Sequence, residues 1–69
     1  MEIEKMQGMI EAILFTMGDS VSLSQIAEAI RHDEETTRKL IHNMMDGYEK
    51  EKRGVRIIEL NDSFQMCTK

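Results

Sequence analysis

Residues 8–30, GMIEAILFTMGDSVSLSQIAEAI, read as a helix, a glycine stop, a short extended link and a second, capped helix. Ile3, Met6, Ile10, Ile13, Leu14 and Met17 recur at steps of three and four, a single apolar stripe that predicts a helix from Ile3 to Met17. Glu2 and Glu4 sit in its first turn, where negative charge complements the helix dipole. Gly18 follows the last apolar residue and suits a left-handed stop. Ser22 then reads as an N-cap, and Gln25 three residues on completes a capping box. Leu23, Ile26, Ala27 and Ile30 share one face of this second, short helix, which ends near Arg31.

The rest of the chain supplies what such a unit needs to close a core. Asp33 can cap a third helix from Glu34 to Glu51, with Leu40, Ile41, Met44, Met45 and Tyr48 on its apolar face. Gly47 weakens the last turns by up to about 1 kcal/mol relative to alanine, and Gly54 ends the segment after the charged run 49–53, which reads as a solvated helix end. Val55 to Leu60 and Phe64 to Thr68 then read as two strands. A three-residue loop, Asn61-Asp62-Ser63, pairs Leu60 with Phe64 and Ile58 with Met66 and sets all four on one face. A two-residue loop would put Phe64 opposite Glu59, so the three-residue loop is preferred. The doubled Ile57-Ile58 calls for a bulge if Val55 and Ile57 are also to face inward. Val21 is placed to add a brief strand beside the hairpin's outer strand. Short helix, tight turn, longer helix and hairpin together predict a mainly α winged helix-turn-helix, with residues 1–69 forming one domain.

Phe15 does not belong to the stripe. At 100° per residue it points away from the stripe's centre, alongside Gly8 and Ala12. A large aromatic flanked by two small residues on an outer helix face can be a contact surface. It can also be a lone exposed side chain, or one covered by the C-terminal strand. The small size of the domain favours the contact surface, because a chain of 69 residues has little core of its own and association adds buried area.

Bulk composition narrows the functional classes. Hydrophobic residues make up 41% and charged residues 32%, a globular balance. Proline is absent, and seven methionines supply compliant core volume in place of aromatic bulk. One cysteine, Cys67, leaves no internal disulfide and fits a reducing cytoplasm. No apolar run reaches membrane-spanning length, and no basic stretch precedes an apolar signal-like segment.

The net charge of −4 opposes binding by phosphate neutralisation. In a DNA-reading helix-turn-helix the start of the second helix of the motif meets base edges, and here that start is Asp33-Glu34-Glu35. Arg38 and Lys39 follow without growing into a basic patch, and on the wing Arg56 and Lys69 are offset by Glu59 and Asp62. A DNA-binding transcriptional regulator is therefore the weaker reading. His32 and His42 lack the spaced cysteine or carboxylate partners of a metal site. Neither a nucleophile with a base nor a phosphate-cradling glycine loop is present, so neither enzyme chemistry nor a cofactor is expected.

Three pieces resemble one family. Ile10-Glu11-Ala12-Ile13-Leu14-Phe15 followed by Gly18-Asp19 is similar to the opening helix and turn of segregation and condensation protein B. Arg53-Gly54-Val55 with Ile57-Ile58-Glu59 resembles that family's strand after the third helix, and Phe64, Met66 and Thr68-Lys69 resemble its last wing strand. Ser20 departs from a frequent proline, in the link only. The resemblance implies the N-terminal winged-helix domain of a longer two-domain protein. It further implies a non-enzymatic, cytoplasmic and nucleoid-associated subunit of the bacterial SMC complex in chromosome condensation and segregation. Such a subunit forms a homodimer and binds the kleisin subunit, segregation and condensation protein A, and through it the SMC ATPase. Gly8, Ala12 and Phe15 are proposed as the partner face on helical geometry alone.

Overall fold

The computed structural model describes residues 2–68. The elements run α1 (Ile3–Met17), β1 (Val21–Ser22), α2 (Leu23–Ile30), α3 (Glu34–Lys50), β2 (Val55–Leu60) and β3 (Ser63–Thr68). Three helices pack around one core, and the strands form a small antiparallel sheet in the order β1-β3-β2. This is the winged-helix arrangement, mainly α with a β wing.

Local chemistry sets the helix boundaries. Gly18 adopts φ 64°, and its N–H donates to the Leu14 carbonyl at 3.3 Å, a left-handed stop that costs glycine little. The Gln25 N–H donates to Ser22 Oγ at 3.2 Å, and the Ser22 N–H donates to Gln25 Oε1 at 3.3 Å, so the capping box is complete. The Thr36 N–H donates to the Asp33 carboxylate at 2.9 Å. Bonds from Thr36, its side chain first and its backbone second, hold the Asp33 carboxyl below its usual 3.8.

The core joins Met6, Ile10 and Leu14 of α1 to Ile26 and Ile30 of α2, Leu40, Ile41, Met44 and Tyr48 of α3, and Ile57 and Phe64 of the wing. Each fully buried Ile, Leu or Phe contributes about 1.5–3 kcal/mol of transfer free energy. Ile3 and Met17, expected in the stripe, are 58% and 56% exposed. They lie at the two ends of α1. Thr37 carries no apolar signal yet is fully buried. Its hydroxyl donates to the Asp33 carbonyl at 2.8 Å, which satisfies the polar group inside the core.

The hairpin corrects the expected register. Leu60 pairs with Ser63, Glu59 with Phe64 and Ile57 with Met66, so the loop has two residues, Asn61 and Asp62. Asn61 adopts φ 58°, a conformation asparagine tolerates well. Val55, Ile57, Phe64 and Met66 therefore face inward through an unbroken ladder and no bulge is needed. Leu60, expected inside, is 47% exposed, and Ile58 turns to the outer face. Glu59 tolerates its place opposite Phe64 because α3 supplies its partners: the Arg38 guanidinium lies 2.5 Å from one carboxylate oxygen through Nη1, and His42 Nε2 is within hydrogen-bond distance of the other at 3.0 Å. Val21 pairs with Phe64, so β3 lies between β1 and β2. The Leu23 N–H donates to the Asp62 carbonyl at 2.7 Å and ties the wing's turn to the start of α2. Lys69, counted above among the wing charges and in the last strand's resemblance, lies outside the described residues.

Candidate partner interface

Gly8, Ala12 and Phe15 fall on one outer face of α1, and all three are exposed. Phe15 leads them at 76%. The three residues line a shallow open groove of about 300 Å³, completed by Glu11 and by Val55 and Met66 from the wing. Its apolar wall continues towards Leu14, Gly18 and Cys67 in an adjoining hollow of about 200 Å³. The structure thus brings together all three residues named from helical geometry. The sequence did not mark Val55 and Met66 as groove walls. Both carry a strand's inward face to the rim of the core, and that placement depends on the hairpin register.

A Cβ added at Gly8 would meet nothing within 4 Å. The monomer therefore does not require a glycine there, although a glycine inside a helix costs about 0.5–1 kcal/mol relative to alanine. Its effect is to leave the floor of the groove open.

The other flank of Gly8 borders a cleft of about 350 Å³ between α1 and α3, where Glu4, Glu11, Tyr48, Glu51 and Arg53 meet. The Tyr48 hydroxyl donates to the Glu11 carboxylate in a short hydrogen bond. Burial, and then this carboxylate, push the Tyr48 phenol from 10.0 up to about 12. The Arg53 guanidinium lies over the Tyr48 ring at 5.1 Å and bonds Glu51 through Nε at 3.0 Å. The charged run 49–53, read from sequence as a solvated end, is thus partly folded back onto α1 and α3.

The DNA-reading surface of a winged helix is occupied differently here. Asp33 is spent on capping, Glu34 and Glu35 are exposed at the start of α3, and Lys39 sits 3.9 Å from Glu35. Arg38 turns to the wing, where its fork spans Glu59 and, at 2.8 Å, Asp62. His42, which the sequence left without a role, pairs with Glu59 and meets the Phe64 ring edge-on at 6.3 Å. Among the described residues no three His, Cys, Asp or Glu side chains gather as a metal site, and no helix is long and apolar enough to cross a membrane.

Three capped helices, a three-stranded wing and an α3 whose leading residues are acidic define a winged-helix domain with an exposed apolar face on α1. Residues 8–69 match the family described as segregation and condensation complex subunit ScpB. Segregation and condensation protein B of Lachnoclostridium phytofermentans is 64% identical over the whole chain, and that of Ruminiclostridium cellulolyticum is 41% identical over the whole chain. The chain belongs to the segregation and condensation protein B family. It spans 36% of the length of each of these two relatives. A solved dimer of an ScpB N-terminal domain complexed with an ScpA peptide is similar at 32% identity and TM-score 0.90, over 97% of this chain and 84% of that one. ScpB from Mycobacterium tuberculosis, 16% identical with a TM-score of 0.93, shares the fold over all of this chain and 43% of its own.

Proposed function

We propose that this chain is the N-terminal winged-helix domain of a non-enzymatic subunit of the bacterial SMC complex, acting in chromosome condensation and segregation. It pairs with a second copy of itself and binds the kleisin subunit, segregation and condensation protein A, through which it reaches the SMC ATPase. It works in the cytoplasm, at the nucleoid, by protein contact. Gly8, Ala12 and Phe15 are the self-association face.

The observation that carries this reading is the exposed Phe15 beside the open groove over Gly8, on a domain whose solved relative is described as a dimer with an ScpA peptide. The acidic start of α3 and the engagement of Arg38 by the wing support protein contact over base reading. Co-purification of the chain with a tagged kleisin fragment tests the assignment. Retention through washing at moderate salt is expected; recovery no higher than with an unrelated tagged fragment refutes it.

A further inference from the structure

We propose that β2 is a docking edge at which a partner protein adds an extended segment to the wing as a fourth strand. The segment carries apolar side chains beside Ile58 and Leu60 and a carboxylate beside Arg56. This contact is additional to the face proposed above on α1.

β3 lies between β1 and β2, so among the described residues β2 has a neighbouring strand on one side only. The two-residue loop makes Leu60 and Ser63 the closing hydrogen-bonded pair of the hairpin. Antiparallel alternation then turns the backbone groups of Arg56, Ile58 and Leu60 towards β3. The N–H and C=O groups of Val55, Ile57 and Glu59 point to the open side, about 7 Å from one such residue to the next. Among the described residues none of them has a backbone partner there. Such a row of unpaired groups is a template for another extended chain.

Proteins blunt an exposed edge with proline, with bulges or with charges aimed inward. The chain has no proline, and the ladder of β2 and β3 is unbroken. Glu59 does aim inward, but the Arg38 guanidinium already holds its carboxylate, so a strand laid beside it traps no unmatched charge. The same guanidinium grips Asp62, and the Leu23 N–H donates to the Asp62 carbonyl. The edge is thus held extended before a partner arrives, which lowers the ordering cost of binding.

The outer face of β2 sets the chemistry of the occupant. Arg56, Ile58 and Leu60 alternate onto it, Arg56 and Leu60 exposed and Ile58 half-buried. A strand added at the edge places every second side chain beside these three. Apolar residues next to Ile58 and Leu60 and a carboxylate next to Arg56 make the favourable cross-strand pairs, whereas a basic residue at Arg56 sets like charges opposite each other. A helix laid here would leave the edge groups unpaired, because its own backbone bonds are internal.

The probe is the end-blocked hexapeptide Val-Thr-Val-Thr-Glu-Thr, which in antiparallel register sets its glutamate opposite Arg56. A second peptide, N-methylated at the three threonines, keeps the side chains and loses the donors that face β2. Amide hydrogen exchange followed by NMR is the readout. In the free chain the Val55, Ile57 and Glu59 amides are expected to exchange faster than those of Arg56 and Ile58. The first peptide at about 1 mM is expected to slow the three edge amides several-fold, and the methylated peptide to leave them unchanged. Arg56→Glu, at an exposed position, should weaken binding about fivefold, and a lysine in place of the peptide's glutamate should restore it.

Edge amides that the first peptide leaves unchanged overturn the proposal. Equal effects of the two peptides also overturn it, because side chains alone would then hold the ligand. Edge amides already protected in the free chain, increasingly so at higher protein concentration, would give the edge to a second copy and refute a foreign strand. Binding that Arg56→Glu leaves unaltered refutes the acidic occupant.

Discussion

Arg38 of α3 reaches Glu59 of β2 at 2.5 Å and, with the other arm of its fork, Asp62 in the turn at 2.8 Å. One of the two cations that follow the acidic start of α3 thus fastens the wing to that helix. Arg38→Ala is expected to raise hydrogen exchange at the wing amides several-fold while the α1 and α2 amides change little. Uniform exchange across the domain would show that the pairing does not hold the wing locally.

Tyr48 and Glu11 form the corresponding tie between α3 and α1. Tyr48→Phe is expected to cost about 1 kcal/mol near neutral pH, the usual net value of one hydrogen bond. The folded phenol titrates at about 12 against 10.0 when unperturbed. The folded state therefore holds its proton more tightly than the unfolded state. That contribution is complete below pH 10 and is lost as pH rises towards 12. Urea denaturation at pH 9, 10.5 and 11.5 should show this alkaline fall in the wild type and a smaller one in the variant.

Asp33 gives the opposite sign. Its carboxyl is held below 3.8 by Thr36, so its contribution is present above that value and lost as pH falls through the lowered one. Asp33→Asn, which keeps a capping oxygen, should flatten the acid limb of the stability curve. An unchanged acid limb would place the titrating group elsewhere.

Gly47 stands within α3, and a Cβ there meets nothing within 4 Å. Gly47→Ala is expected to stabilise the domain by about 1 kcal/mol, which raises the melting temperature by roughly 4–8 °C in a domain this small. Thermal melts followed by circular dichroism decide it.

The legible parts of this fold were those set by neighbours in sequence. Gly18, Ser22 with Gln25, and Asp33 each act on a backbone group within a few residues, and each lies where the pattern placed it. The hairpin register was not legible. Glu59 looked misplaced opposite Phe64 because its counter-charge, Arg38, comes from 21 residues earlier in the chain. Thr37 was missed although its bond to the Asp33 carbonyl is local, because a hydroxyl gives no apolar signal, and Ile3 and Met17 share the stripe's periodicity yet sit exposed at the two ends of α1. On the candidate interface, Gly8, Ala12 and Phe15 followed from 100° per residue, whereas the walls Val55 and Met66 followed only from the register.

Sedimentation equilibrium of the wild-type chain beside Phe15→Glu, over about 1–100 µM, tests most directly whether α1 is a contact face, because that range spans the expected free energies of association. A dimer at tens of micromolar that Phe15→Glu returns to monomer is the predicted result. A wild type that stays monomeric throughout, or an association constant that Phe15→Glu leaves unchanged, would contradict it.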